Sequence, residues 1–154
     1  MVDIFGAFDY DKFKEKFPEI DISLSALKDA LKPARATPVQ ELSSQSISPS
    51  GKAEFTISDA GGYSAVVVTV KAAYDASATK GVRVWWLYSP DGTNFDSEDA
   101  AEAEEQYNDI AFAAGTTKIE TVLIPLFQPY VKVQIENLDT SYEVTVDAWR
   151  TLLR

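Results

Sequence analysis

From about residue 53 to the C-terminus, apolar and polar residues alternate with a period of two, which is the signature of strands with one face buried. Ala53, Phe55 and Ile57 alternate with Lys52, Glu54 and Thr56, and Val82, Val84, Trp86 and Tyr88 alternate with Arg83, Trp85 and Leu87. Val131, Val133 and Ile135 alternate with Lys132, Gln134 and Glu136; Val144, Val146 and Ala148 alternate with Glu143, Thr145 and Asp147. Residues 63–74 hold a continuous apolar run, Val66, Val67, Val68 and Val70, which predicts a central strand covered on both faces. Residues 118–127 form another apolar strand, ended by Pro125 or Pro129. Turn chemistry separates these runs at Asp59-Ala60-Gly61-Gly62, Lys80-Gly81, Ser89-Pro90-Asp91-Gly92 and Asn137-Leu138-Asp139-Thr140-Ser141. The pattern predicts a mainly β protein, an antiparallel β-sandwich of jelly-roll type with about seven or eight strands. Its expected core is Val66, Val68, Val70, Val84, Trp86, Val133, Ile135, Val144 and Val146.

The N-terminal region has a different period. Phe13 and Phe17 stand four apart among Lys12, Lys14, Glu15 and Lys16, and Pro18 ends that segment. Leu24, Leu27 and Leu31 predict a second short helix, with Asp21 or Ser23 as N-cap and Pro33 as stop. Helices this short are marginal alone, so their apolar faces need a surface, on their own sandwich or on a neighbour. Pro33, Pro38 and Pro49, with serines between them, mark a linker or an extended edge segment, and Leu42 and Ile47 allow part of it to pair along a sheet. The expected organisation is a helical arm at 1–36 and a sandwich at 37–154.

Composition narrows the chemistry. At 154 residues and 45% hydrophobic content, the chain can bury one full core. It contains neither cysteine nor histidine, which removes thiolate nucleophiles, cysteine-bound metals, the commonest general base and any Ser-His-Asp triad. A net charge of −10 argues against nucleic acid or an anionic membrane as partner. The start, Met-Val-Asp-Ile-Phe-Gly, lacks the form of a signal peptide, and no apolar run approaches the roughly 20 residues of a membrane span. The expectation is a soluble protein, cytoplasmic or in a virion.

Residues 96–109 are strongly acidic, with Asp96, Glu98, Asp99, Glu102, Glu104, Glu105 and Asp109 and no basic residue. The preferred reading is a solvated helical turn or loop, with no metal or other cofactor. The competing one is a Ca²⁺ site with Asp91, Asn94, Asp96 and Asp99 as oxygen donors, although the spacing fails the EF-hand rule. Glu54, Glu120, Glu136 and Glu143 fall at outward strand positions and read as solvated faces, not as a catalytic pair. Trp85 and Trp149 fall off the core phase. Together with Phe13 and Phe17 they are expected to form contacts with the helices or with a neighbouring subunit; the alternative is that such rings stack on sugars.

Two resemblances bear on function. Tyr88-Ser89-Pro90-Asp91-Gly92-Thr93-Asn94-Phe95 is similar to the strand-turn of discoidin-like, galactose-binding sandwiches, and also to the Asp-box hairpin with the glycine one place early and Phe95 in place of tryptophan. Its residues serve the turn, so no binding residue is carried over. The hairpin from Tyr130 through Asn137, Asp139, Thr140 and Ser141 to Val144 and Trp149 resembles the final hairpin of small β-sandwich proteins of phage and prophage virions. That resemblance implies a non-enzymatic structural or assembly protein, a homo-oligomer or a partner of virion proteins. A carbohydrate-binding module using exposed aromatics is the alternative.

Overall fold

The computed structural model describes residues 35–154, and eight strands account for most of them. They are β1 (Val39–Ile47), β2 (Lys52–Ile57), β3 (Ala65–Tyr74), β4 (Val82–Ser89), β5 (Tyr107–Asp109), β6 (Thr117–Pro125), β7 (Tyr130–Asn137) and β8 (Val144–Leu153). One helix, α1 (Glu98–Ala103), lies between β4 and β5. The expected helices of residues 1–32, and Phe13 and Phe17 with them, lie outside the described residues. Arg35 already bridges to Leu153, and the Ala36 N–H donates to the Leu152 carbonyl, so the sandwich unit takes in residues ahead of the expected start at 37. Among the described residues no helix is long and apolar enough to cross a membrane.

The strands form two four-stranded sheets, β1-β8-β3-β6 and β2-β7-β4-β5, and every pair is antiparallel. This alternation of early and late strands is the jelly-roll order. The residues at 39–47 that read as linker or edge are the edge strand β1, paired to β8. Its register slips between Gln40 and Leu42 and again before Gln45, and Ser44 takes a φ of 46°. Such irregularity blunts an edge against pairing with other chains.

The inward residues of the two sheets meet in one core. Val66, Val68, Val70, Val84, Val133, Ile135, Val144 and Val146 are all buried there, as their phase predicts. Two expectations are corrected. β3 is central, but its outward residues Val67, Thr69 and Lys71 are only half-buried, so its apolar run covers one face fully and the other in part. Trp86 has the inward phase and packs on the core, yet it is half-buried. The reason is the neighbouring strand: β5 is only three residues long, and the chain beside β4 ends its pairing with Gln106, whose carbonyl accepts from Trp86 N–H. Nothing in β5 extends to close over the ring.

Trp85 shows the reverse. It points away from the main core but is 4% exposed, in a second cluster with Leu87 and Ala101, flanked by Phe95 and Tyr107. Its Nε1 donates to Glu136 Oε2 at 2.8 Å, and the Arg83 guanidinium lies 5.3 Å from its ring centre. The cover comes from the chain's own acidic stretch.

Candidate functional site

Three loops and two strands enclose a cleft of about 420 Å³ at the flank of the sandwich. Trp86 and Tyr88 of β4 supply one side, Pro125 at the end of β6 and Phe127 and Gln128 after it supply another, and Asp96 with Glu104, Glu105 and Gln106 form the polar rim. A volume of this size falls in the range of small-ligand sites, about 300–1,000 Å³.

The β4–α1 connection is fixed by its own turn. Asp91 Oδ1 accepts from the N–H groups of Thr93 and Asn94, each at 2.8 Å, and Asp91 Oδ2 accepts from Asn94 Nδ2. Ser89 Oγ accepts from Gly92 N–H at 2.9 Å. Gly92 has a φ of 76°, and a Cβ there would meet the Tyr130 ring at 3.0 Å, so only glycine fits. The hydrogen bonds from Asn94 and Thr93 hold the Asp91 carboxyl far below the usual carboxylate range. Asp96 then returns to the edge of β4: its N–H donates to the Tyr88 carbonyl at 3.0 Å, and its Oδ2 accepts from Tyr88 N–H at 3.3 Å.

The acidic stretch is in part helical. Ser97 caps α1 by accepting from Ala100 N–H at 3.2 Å, Glu98 and Asp99 occupy the first turn, and Ala101 is buried against Trp85 and Leu87. The helix ends with Gln106 N–H donating to the Ala101 carbonyl and Glu105 N–H to the Glu102 carbonyl. That double closure is a Schellman motif, and it forces Glu105 to a φ of 54°.

The four Ca²⁺ candidates are therefore not gathered into one site: Asn94 meets Asp91, but as a donor within the turn. Asp91 and Asn94 are used within the turn, Asp96 lies along β4, and Asp99 lies in the first turn of α1. Among the described residues no group of three or more acidic side chains is placed to hold a metal ion. Millimolar calcium is expected to move the melting temperature no further than sodium at equal ionic strength; a saturable calcium-specific rise, abolished by Asp96→Ala, would contradict this.

Among the aromatic candidates, Trp85 is buried within its own chain and is available neither to a ligand nor to another subunit. Trp149 is half-buried on the outer face of its sheet, opposite Thr69 and Gln40. The rings that reach the cleft are Trp86, Tyr88 and Phe127. Tyr88 is the fixed member: its hydroxyl donates to the Pro125 carbonyl at 2.6 Å, tying one sheet to the other, and burial pushes its pKa up to about 12. Phe127 lies 5.8 Å from it and is 76% exposed. Sequence reasoning missed Phe127, Gln106 and Gln128. The signal for Phe127 is a bulky apolar residue bracketed by Pro125 and Pro129, where a strand has ended and no core phase requires it.

Gln106 carries one further anomaly. Its side-chain carbonyl oxygen is buried with no hydrogen-bond partner among the described residues. A buried acceptor left unpaired costs about 1–3 kcal/mol.

No protein-family model and no curated protein matches the chain. Among solved structures it is similar to a family 35 carbohydrate binding module from Clostridium thermocellum, with a TM-score of 0.38 and 10% identity over 76% of this chain and 90% of that one. A likeness that distant says nothing about a ligand.

Proposed function

We propose that this chain is a non-enzymatic binding β-sandwich that holds a sugar ring in the flank cleft, against Trp86 and Phe127. The observation that carries the reading is a cleft of about 420 Å³ that combines exposed aromatic surface with a rim of amides and carboxylates. Sugar rings present apolar C–H faces and a periphery of hydroxyls, so they match aromatic rings and polar acceptors placed together. The side chains of Gln106 and Gln128 on the lining are the amides of that rim.

Tryptophan fluorescence tests it. A simple hexose is expected to quench emission saturably, and Phe127→Ala is expected to weaken that binding by about ten-fold, the equivalent of roughly 1.4 kcal/mol. Because Phe127 is 76% exposed, the same variant is expected to leave the melting temperature nearly unchanged. Quenching that is absent, or indifferent to Phe127→Ala, would defeat the reading.

A second reading, a structural protein that assembles through subunit contacts, virion components included, draws on a different surface. On the outward side of β6, Leu123 is 62% exposed and lies opposite the half-buried Val67, and Ile119, 67% exposed, lies opposite Lys71. Exposed apolar residues on an edge strand favour association. Light scattering discriminates: an oligomer whose native mass falls in Leu123→Lys supports assembly, and a monomer removes it.

A further inference from the structure

The turn after β4 holds a pair of residues with covalent chemistry of its own. The chain has seven glycines, and Gly92 alone follows an aspartate or asparagine, Asp91. In an Asp-Gly pair the glycine main-chain nitrogen can attack the aspartate Cγ, because no Cβ shields it. The N–Cγ bond forms and one C–O bond of the carboxyl breaks. The departing oxygen leaves as water, with the amide hydrogen and the carboxyl proton. A second water then opens the resulting succinimide at either carbonyl. Opening at Cγ restores aspartate; opening at the main-chain carbonyl leaves isoaspartate, with the backbone rerouted through the side chain and the mass unchanged.

The folded turn holds both reacting groups off this path. The buried Ser89 hydroxyl bridges them: Oγ accepts from Gly92 N–H at 2.9 Å and donates to Asp91 Oδ1 at 3.0 Å. Asp91 Oδ1 also accepts from the N–H groups of Thr93 and Asn94, and Oδ2 accepts from Asn94 Nδ2 at 2.6 Å. Neither carboxyl oxygen leaves without breaking these bonds. They also favour the ionised carboxyl, which must gain a proton before an oxygen departs as water. On its open side Gly92 meets the Tyr130 ring, 3.0 Å from where a Cβ would stand, so the rotation that ring closure needs has little room.

We propose that Asp91–Gly92 is a covalent modification site that folding keeps latent: the Ser89 hydroxyl holds it as aspartate, and isoaspartate forms there when the turn opens. The damage reaches further than one residue. An extra main-chain carbon displaces Gly92 from Tyr130 and shifts the register by which Asp96 meets the N–H and carbonyl of Tyr88. Pro90 of the same turn lines the flank cleft. The site stands whatever ligand the cleft takes.

The test incubates the full chain at 37 °C and neutral pH, folded and in guanidinium chloride, and maps the tryptic fragment of residues 84–118. Isoaspartate appears as a separately eluting fragment of unchanged mass, placed by fragmentation. The folded chain is expected to isomerise at Asp91 at least about ten-fold more slowly than the unfolded one, because hydrogen bonds to a charged group must break first. Ser89→Ala, kept well below its melting temperature, is expected to recover most of that difference. Asn94→Ala, at an exposed position, removes the bond to Oδ2 and is expected to give a smaller rise, which keeps the inference testable if Ser89→Ala does not fold. A folded chain that isomerises as fast as the unfolded one would overturn the latency. A folded Ser89→Ala as slow as the parent would overturn the role of the hydroxyl. Isoaspartate arising first at another residue of the unfolded chain would overturn the assignment of the site.

Discussion

Trp85→Ala is expected to destabilise the protein by about 3–5 kcal/mol, among the largest effects of any single substitution. The ring is 4% exposed, it fills the space between β4 and α1, and its Nε1 satisfies Glu136. Removal leaves a cavity beside Ala101 and Leu87 and frees a helix of only six residues from its main apolar contact. Trp86→Ala is expected to cost clearly less, because half-burial leaves less surface to lose, while abolishing sugar quenching. Urea unfolding of the two variants checks the order. If Trp86→Ala proved the more damaging, the short β5 would not be what opens the cleft.

The β7–β8 turn carries the second large effect. Asn137 is buried, and its Nδ2 lies 3.2, 3.2 and 2.8 Å from the carbonyls of Ile47, Ser48 and Tyr142, while its Oδ1 accepts from Asp139 N–H at 3.0 Å. Asn137→Ala strips these groups of their partners without admitting water, at an expected cost of about 3 kcal/mol or more. Asp139, also buried, accepts from the N–H groups of Thr79, Lys80, Ser141 and Tyr142 and from the Thr79 hydroxyl. These bonds, those from Thr79 and Ser141 foremost, hold its carboxyl far below the usual range. A carboxyl depressed in the folded state stabilises above its unfolded pKa of about 3.9 and loses that contribution as pH falls toward the folded value. Asp91 and Asp147 shift in the same direction. Stability measured by urea unfolding is therefore expected to fall as pH drops below about 4, and less steeply in Asp139→Asn. An Asn variant with the parent's acid profile would assign the loss to the other carboxyls.

The strands were legible in the sequence because each buries one face, and alternation reports that directly: Val131, Val133 and Ile135 could have no other phase. Pairing was not legible, since any two alternating strands are compatible until turns and loop lengths choose between them. Trp85 shows what the period cannot reveal. Its outward phase was correct, but the cover lay in residues 98–103, whose charges conceal a helix that contributes one buried alanine. The cleft was less legible still. Trp86 reads as core, and only the early end of β5 exposes it; Glu105 reads as one acid among seven, and only its φ distinguishes it. Asn137 and Asp139 stood out as turn formers, with no hint that their side chains reach loops distant in sequence.

The interleaved strand order also sets the sequence of events during synthesis. β1 waits for β8, and β2 waits for β7, so neither early strand has a sheet partner while the first half of the chain leaves the ribosome. The earliest pairings open to a growing chain are β4 with β5 and then β3 with β6. Until the last strand arrives, one edge of β3 and the pairing edge of β1 stay without a partner. Closure of such distant contacts is slow, on the order of milliseconds to seconds, and in that interval the exposed valines of β3 are the segment most open to misassociation or to capture by a chaperone.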